Sequence, residues 1–195
     1  MIRFLLTLCM SVLLCSCASR THLIYPPENE SFKEVPMSGE IQSDAIKVAV
    51  ENLKDAREKR DVIGAKKNGF GQEVVTIKTD DDVPNWATDA VAYELERGGY
   101  RVERVPRGKG PISEYLISGD LITTYGTVGF TYQGEVALLI RVERGNKVIL
   151  EEPYYGKADT KLSMFARTKV VNTMLAEALR RAVQDFLKDF NALAR

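Results

Sequence analysis

The stretch Val83-PNWATDAVAYELERGGYRVER-Val105 decides the fold. Trp86, Ala87, Ala90, Val91 and Leu95 recur at helical spacing and share one face, while Asp89, Glu96 and Arg97 lie elsewhere. Asp80-Asp81-Asp82 ahead of the helix suits the positive end of its dipole, and Pro84 is tolerated in a first turn. Gly98-Gly99 ends the helix, because glycine readily takes the left-handed cap conformation. Tyr100, Val102 and Val105 begin a strand directly afterwards. A helix that passes through a glycine cap straight into a strand lies on the sheet that the strand joins.

Working outward, Ile46–Val50 reads as a strand, followed by a charged segment from Lys54 to Lys67. Val74–Thr79 is β-branched and alternating, and is expected to be a hairpin partner of the first strand. Beyond the central helix, Tyr115–Tyr125 forms a further strand, with Gly119 a candidate bulge. Phe130–Arg144 and Lys147–Tyr155 flank Gly145-Asn146, a two-residue hairpin turn. Val171, Leu175, Ala178, Ala182, Phe186 and Phe190 then mark one face of a long helix over about 163–193. The order β-β-α-β-β-β-β-α predicts a two-layer α+β domain, a mixed and largely antiparallel sheet covered on one face by two helices.

The N-terminal end reads differently. Arg3, the apolar run Phe4–Leu14 and Leu14-Cys15-Ser16-Cys17 follow the order of a secretory signal peptide, which is too short for a stable membrane span. Leu-x-small-Cys resembles the lipobox of bacterial lipoproteins, in which the cysteine is acylated and becomes the mature N-terminus. Residues 1–16 are therefore expected to be removed, leaving Cys17 as the lipidation site. Residues 17–44, with Pro26-Pro27, Pro36 and Ser38-Gly39, read as a lipidated N-terminus and flexible tether. As a coil of about 27 residues this tether would reach roughly 30 Å, holding the body clear of the headgroups. Leu23-Ile24-Tyr25 interrupts its polar run and is expected to dock on the body, with docking on a partner as the alternative. Residues 45–195 form the single domain.

Composition narrows the chemistry. The chain has 195 residues, with 27 basic and 27 acidic side chains. Loss of residues 1–16 removes one arginine and no acid, leaving 26 against 27 and no global attraction for nucleic acid. Cys9 and Cys15 leave with the signal peptide, so thiol catalysis and cysteine metal sites are not expected. His22 is the one histidine and sits in the tether, so no Ser-His or Cys-His set can be assembled within the domain. Asp80-Asp81-Asp82 lacks the ligand alternation and central glycine of a calcium loop and reads as a turn leading into the helix. Gly64-Ala-Lys-Lys-Asn-Gly69 has the glycine spacing of a P-loop, but Phe70 and Gly71 stand where Lys and Ser/Thr are needed, so it reads as a flexible hairpin connection. Neither catalytic residues nor a metal or cofactor is expected, apart from covalent lipid (palmitate) on Cys17.

Two surface features remain. Lys54, Arg57, Arg60, Lys66 and Lys67 make a locally basic stretch, a candidate interaction patch for headgroups, cell-wall polymer or an acidic partner. Tyr125, Phe130, Tyr132, Tyr154 and Tyr155 surround the later strands. Most belong to the core or a sheet face, and a minority at one edge would suit a protein-binding patch.

The lipobox at Cys17, the strand Ile46–Val50, Asp55-Ala56-Arg57 with Ile63-Gly64, and Leu95–Tyr100 with Val102 resemble the YajG-like family of bacterial lipoproteins. That resemblance implies an outer-membrane lipoprotein without an assigned catalytic activity. Ala18 and Ser19 after the cysteine, with no aspartate retention signal, favour the periplasmic face of the outer membrane in a Gram-negative cell. The expected role is a non-enzymatic, lipid-anchored module that binds or assembles with another envelope protein or complex, and not with nucleic acid. The alternatives are a carrier of a lipid or other apolar ligand in the periplasm, and a carboxylate-based hydrolase of cell-wall glycan.

Overall fold

The computed structural model describes residues 18–26, 46–108, 113–161 and 169–194. The strands are β1 (Ala18–Arg20), β2 (Lys47–Glu51), β3 (Lys54–Asp55), β4 (Val62–Lys67), β5 (Glu73–Lys78), β6 (Arg101–Val105), β7 (Tyr115–Val128), β8 (Thr131–Arg144) and β9 (Lys147–Lys161). Two helices, α1 (Val83–Arg97) and α2 (Lys169–Ala194), complete the fold. The fold class is α+β, as expected.

The segment 83–105 folds as its residues dictate. Asp82 caps α1, its Oδ1 accepting from the Asn85 amide at 3.1 Å. At the other end the Gly99 amide donates to Glu96 O and the Tyr100 amide to Leu95 O, with Gly99 at φ 89°. That pair of bonds is a Schellman closure, and it needs the left-handed glycine. The Arg101 amide then donates to Ile46 O, so β6 starts alongside β2 and parallel to it.

All nine strands join one mixed sheet with β7 as its spine. Along one side of β7 runs the long antiparallel meander with β8 and β9. Gly145 and Asn146, both at positive φ, make its expected two-residue turn. On the other side the sheet forks. β2 pairs in parallel with Tyr115–Ile117 and carries β6, while β4 pairs in parallel with Gly126–Val128 and carries β5 and β1. β3 sits in the fork, beside a bulge between Leu121 and Thr123.

The pairing of strands departs from expectation. Ile46–Val50 and Val74–Thr79 do not form a hairpin; β5 pairs instead with β4, which lies inside the segment read as merely charged. β4 escapes notice because its VIGAKK sequence ends in lysines and carries a glycine that faces Gly126 across the parallel pair. The start of the segment read as tether also belongs to the body. Ala18–Arg20 pairs with β5, the Leu23 amide donates to Asp81 Oδ2 at 2.6 Å, and Arg20 pairs with Asp80. Leu23 is buried and the Tyr25 hydroxyl donates to Glu94, so the expected docking of Leu23-Ile24-Tyr25 occurs. The free edge of β5 and the Asp81 carboxylate supply the partners that a coil would have found in water. Residues 27–45 lie outside the described residues.

Both helices cover the same face. Phe186, Phe190, Leu175, Leu179 and Val183 of α2 meet Ile117, Leu138, Ile140 and Tyr154, and Trp86, Val91 and Leu95 of α1 complete one continuous core. Tyr115 stands edge-on to Phe190, and Phe186 stacks on Phe190 at 5.7 Å. α2 approaches the meander so closely that glycine is required beneath it. A Cβ on Gly156 would lie 1.7 Å from Ala178 O, and one on Gly134 would lie 2.5 Å from Met174 O.

Gly156→Val therefore forces α2 off the sheet and costs about 2–3 kcal/mol. Thermal unfolding should show a midpoint lower by roughly 5–10 °C in a chain of this size. A Gly71→Ala control, at a turn with nothing near its Cβ, should lose distinctly less, since only local backbone strain is added there.

Candidate functional site

The fork of the sheet holds a groove of about 370 Å³, lined by Arg57, Val62, Ile122, Thr124, Tyr125 and Glu135 among others. Its geometry begins with the bulge in β7, which turns Ile122 outward to the solvent and Thr124 inward. Arg57, from the loop after β3, forms the floor. Its side chain is only 5% exposed and is gripped by Asp55, with Nε donating to Oδ1 and Nη2 to Oδ2, each at 2.9 Å. Nη2 also donates to Arg60 O at 2.6 Å. Nη1 of Arg57 and the hydroxyl of Thr124 are both buried without a protein partner.

Burial raises the Asp55 carboxyl, but hydrogen bonds from the Arg57 guanidinium and backbone, together with its charge, hold it below the usual carboxylate value. At the groove's mouth Tyr125 donates to Glu73 at 2.7 Å, and burial together with that bond pushes its phenol up to about 12. The arrangement is a fixed cation and a fixed phenol at the junction of two half-sheets. It orders the fork and offers hydrogen-bonding groups, but it sets up no nucleophile–base pair.

The basic stretch does not stay together. Arg57 is buried and spent on Asp55, whereas Lys54 and Arg60 are exposed near the fork. Lys66 and Lys67 are half-buried at the far end of β4, beside the β4–β5 turn. The Asp55-x-Arg57 spacing carries the signal for this pairing, since two residues apart on extended chain share a face. Of the aromatics, Tyr132 and Tyr154 are buried, Tyr154 donating to Asp189, while Phe130 and Tyr155 are exposed. The aspartate triad divides its work. Asp80 and Asp81 hold Arg20, His22 and Leu23, and Asp82 caps α1, so the expected helix-leading turn is also a clamp on the N-terminal segment. Gly64–Lys67 of the P-loop-like stretch is strand, not loop. Among the described residues no group of three or more metal-ligating side chains converges, and no helix is long and apolar enough to cross a membrane. Cys17 lies outside the described residues.

Removing one partner of a buried pair leaves a desolvated charge, so Asp55→Ala should cost about 3–5 kcal/mol, whereas the double change Asp55→Leu/Arg57→Met should recover much of that. Chemical denaturation of the three proteins reads this directly. The pH dependence has a definite sign. With its native value depressed, Asp55 contributes full stability above the ordinary aspartate value of about 3.9 and loses it as pH falls through the native value. Asp81 acts in the same sense: burial raises it, and bonds from the Leu23 amide, His22 and Thr79 outweigh that. Asp55→Asn should flatten the acid limb of the melting-temperature profile.

Comparison with solved structures shows the fold. A Xanthomonas campestris protein of the DUF330 family superposes with a TM-score of 0.55 at 12% identity, over 92% of this chain and 98% of that one. A second, described as an uncharacterized protein, gives 0.52 at 10% identity over 89% and 99%. The PelC dodecamer of Paraburkholderia phytofirmans gives 0.43 at 17% identity over 74% and 94%, too distant a likeness to bear on this chain. Comparison with curated proteins finds no match. Residues 34–193 match the model of a family described as "Uncharacterized lipoprotein". The chain belongs to that family of bacterial lipoproteins.

Proposed function

We propose that this protein is a non-enzymatic module of the cell envelope, anchored by lipid on Cys17 to the periplasmic face of the outer membrane, where it binds or assembles with another envelope protein. The observation that carries the reading is membership of a lipoprotein family by a chain whose Leu14-Cys15-Ser16-Cys17 has the lipobox order. Ala18-Ser19, with no aspartate after the cysteine, supports the outer membrane as destination. The body supplies rigid surfaces and no assembled acid–base–nucleophile set among the described residues, which suits recognition. Close seating of α2 on Gly134 and Gly156 favours a recognition module over a carrier of apolar ligand in that layer.

In cells fed labelled palmitate, Cys17→Ser should lose the label and move from the membrane to the soluble fraction. Crosslinking in intact cells followed by affinity purification should recover one reproducible envelope partner with the wild type. A Cys17→Ser protein that stays membrane-bound removes the anchor, and repeated failure to recover a partner removes the assembly role.

A further inference from the structure

Two hairpin tips and the first described residue of β1 lie at one end of the sheet. β4 joins β5 through residues 68–72, and β7 joins β8 through Gly129 and Phe130. Because β4 and β7 run parallel, with Lys66 level with Val128, the two tips are neighbours, and the Phe130 ring is 3.6 Å from the Cβ position of Gly69. β1 runs parallel to β5 with Ala18 level with Thr76, so it starts from the same end. From Thr76 to Glu73, where β5 leaves the turn, is three residues, or roughly 10 Å.

The first tip is built to hold an aromatic out. Asn68 Oδ1 accepts from the amides of both Phe70 and Gln72 at 3.0 Å, and Asn68 Nδ2 donates to Gln72 Oε1. The Asn68 amide donates to Gln72 O, and Gly71 adopts φ 80°. A turn closed by so many bonds is not the flexible connection its glycines suggest, and Phe70 cannot fold back on the body. Phe70 is 93% exposed and Phe130 is 76% exposed. Lys66 and Lys67 flank the tips, the Lys67 Cβ lying 3.7 Å from the Cβ position of Gly129. Of the acids at this end, Glu73 accepts from Tyr125, and exposed Asp159 of β9 stands opposite Gln133.

We propose that this end of the sheet rests on the lipid bilayer, with Phe70 and Phe130 in the interfacial layer and Lys66 and Lys67 over anionic headgroups. The proposal rests on Cys17 being the acylated residue. Ala18, which directly follows Cys17 in the sequence, is already paired in the sheet. Acyl chains starting there leave the body no slack and bring its nearest end to the membrane surface. That end presents two apolar rings and two cations, the combination that an anionic interface takes up.

The full acylated chain, reconstituted in phosphatidylethanolamine–phosphatidylglycerol vesicles, tests this with nitroxide labels at F70C, F130C and K147C; position 147 is at the opposite end of β8–β9. Labels at 70 and 130 should be reached several-fold better by oxygen dissolved in lipid than by a water-soluble nickel complex, with the reverse at 147. If all three positions behave as water-exposed while the protein floats with the vesicles, the tip contact is overturned and the anchor stands. If the protein stays in the supernatant, the anchor fails and the proposal with it. If positions 70 and 130 become shielded only when envelope protein extract is added, the tips belong to a protein partner and the membrane contact is overturned.

Discussion

The seat of α2 on the β8–β9 ribbon is the contact on which the rest of the molecule depends. Helix backbone comes to rest on sheet backbone at Gly134 and Gly156, and this brings Phe186, Leu179, Leu175 and Val171 down onto the meander in one row. Had either position carried a side chain, the interlayer spacing would rise and the stacked Phe186 and Phe190 rings would lose their partners. α1 is seated more loosely, through Trp86, Val91 and Leu95, and relies on its caps to fix where it begins and ends. The two helices thus use different means to reach the same face. One depends on close backbone approach, the other on termini closed by Asp82 and Gly99.

A forked sheet creates a demand that a simple meander does not. Where β2 and β4 diverge from β7, backbone groups and side chains lose neighbours on one side, and the short strand β3 with the Asp55–Arg57 pair fills the gap. The guanidinium is suited to this position because its planar fork meets the carboxylate with two bonds and still reaches the Arg60 carbonyl with a third. A charge that looks available in the sequence is therefore consumed by architecture. The basic segment separates into a structural Arg57, exposed Lys54 and Arg60 near the fork, and Lys66-Lys67 at the far end of β4.

Local signals were readable, and nonlocal ones were not. The cap at Gly98-Gly99, the positive-φ turn at Gly145-Asn146 and the apolar row on α2 each act within a few residues of themselves, so composition and spacing suffice to place them. The partner of β2 is decided by parallel pairing with β6 and β7, more than fifty residues away, and nothing within Lys47–Glu51 encodes that choice. β4 is masked by its own lysines, Lys66 and Lys67, which are half-buried at its end. β1 is three residues long and becomes a strand only because β5 has an edge to offer. The burial of Arg57 turns on Asp55 two positions earlier, a spacing open to view but silent until the chain is known to be extended there.

The parallel union of β1 with β5 also has a temporal side. Contacts of the N-terminal segment with the body span nearly sixty residues of intervening chain, as with Leu23 and Asp81 at a separation of 58. A chain made and delivered N-terminus first presents β1 alone, and β1 cannot pair until β5 has followed it. During that interval Ala18–Arg20 has no sheet edge to join. Once β5 arrives, pairing draws this segment against the folded body. The sheet edge thereby acts as a timer, separating a stage in which Ala18–Arg20 is loose chain from one in which it is part of the sheet.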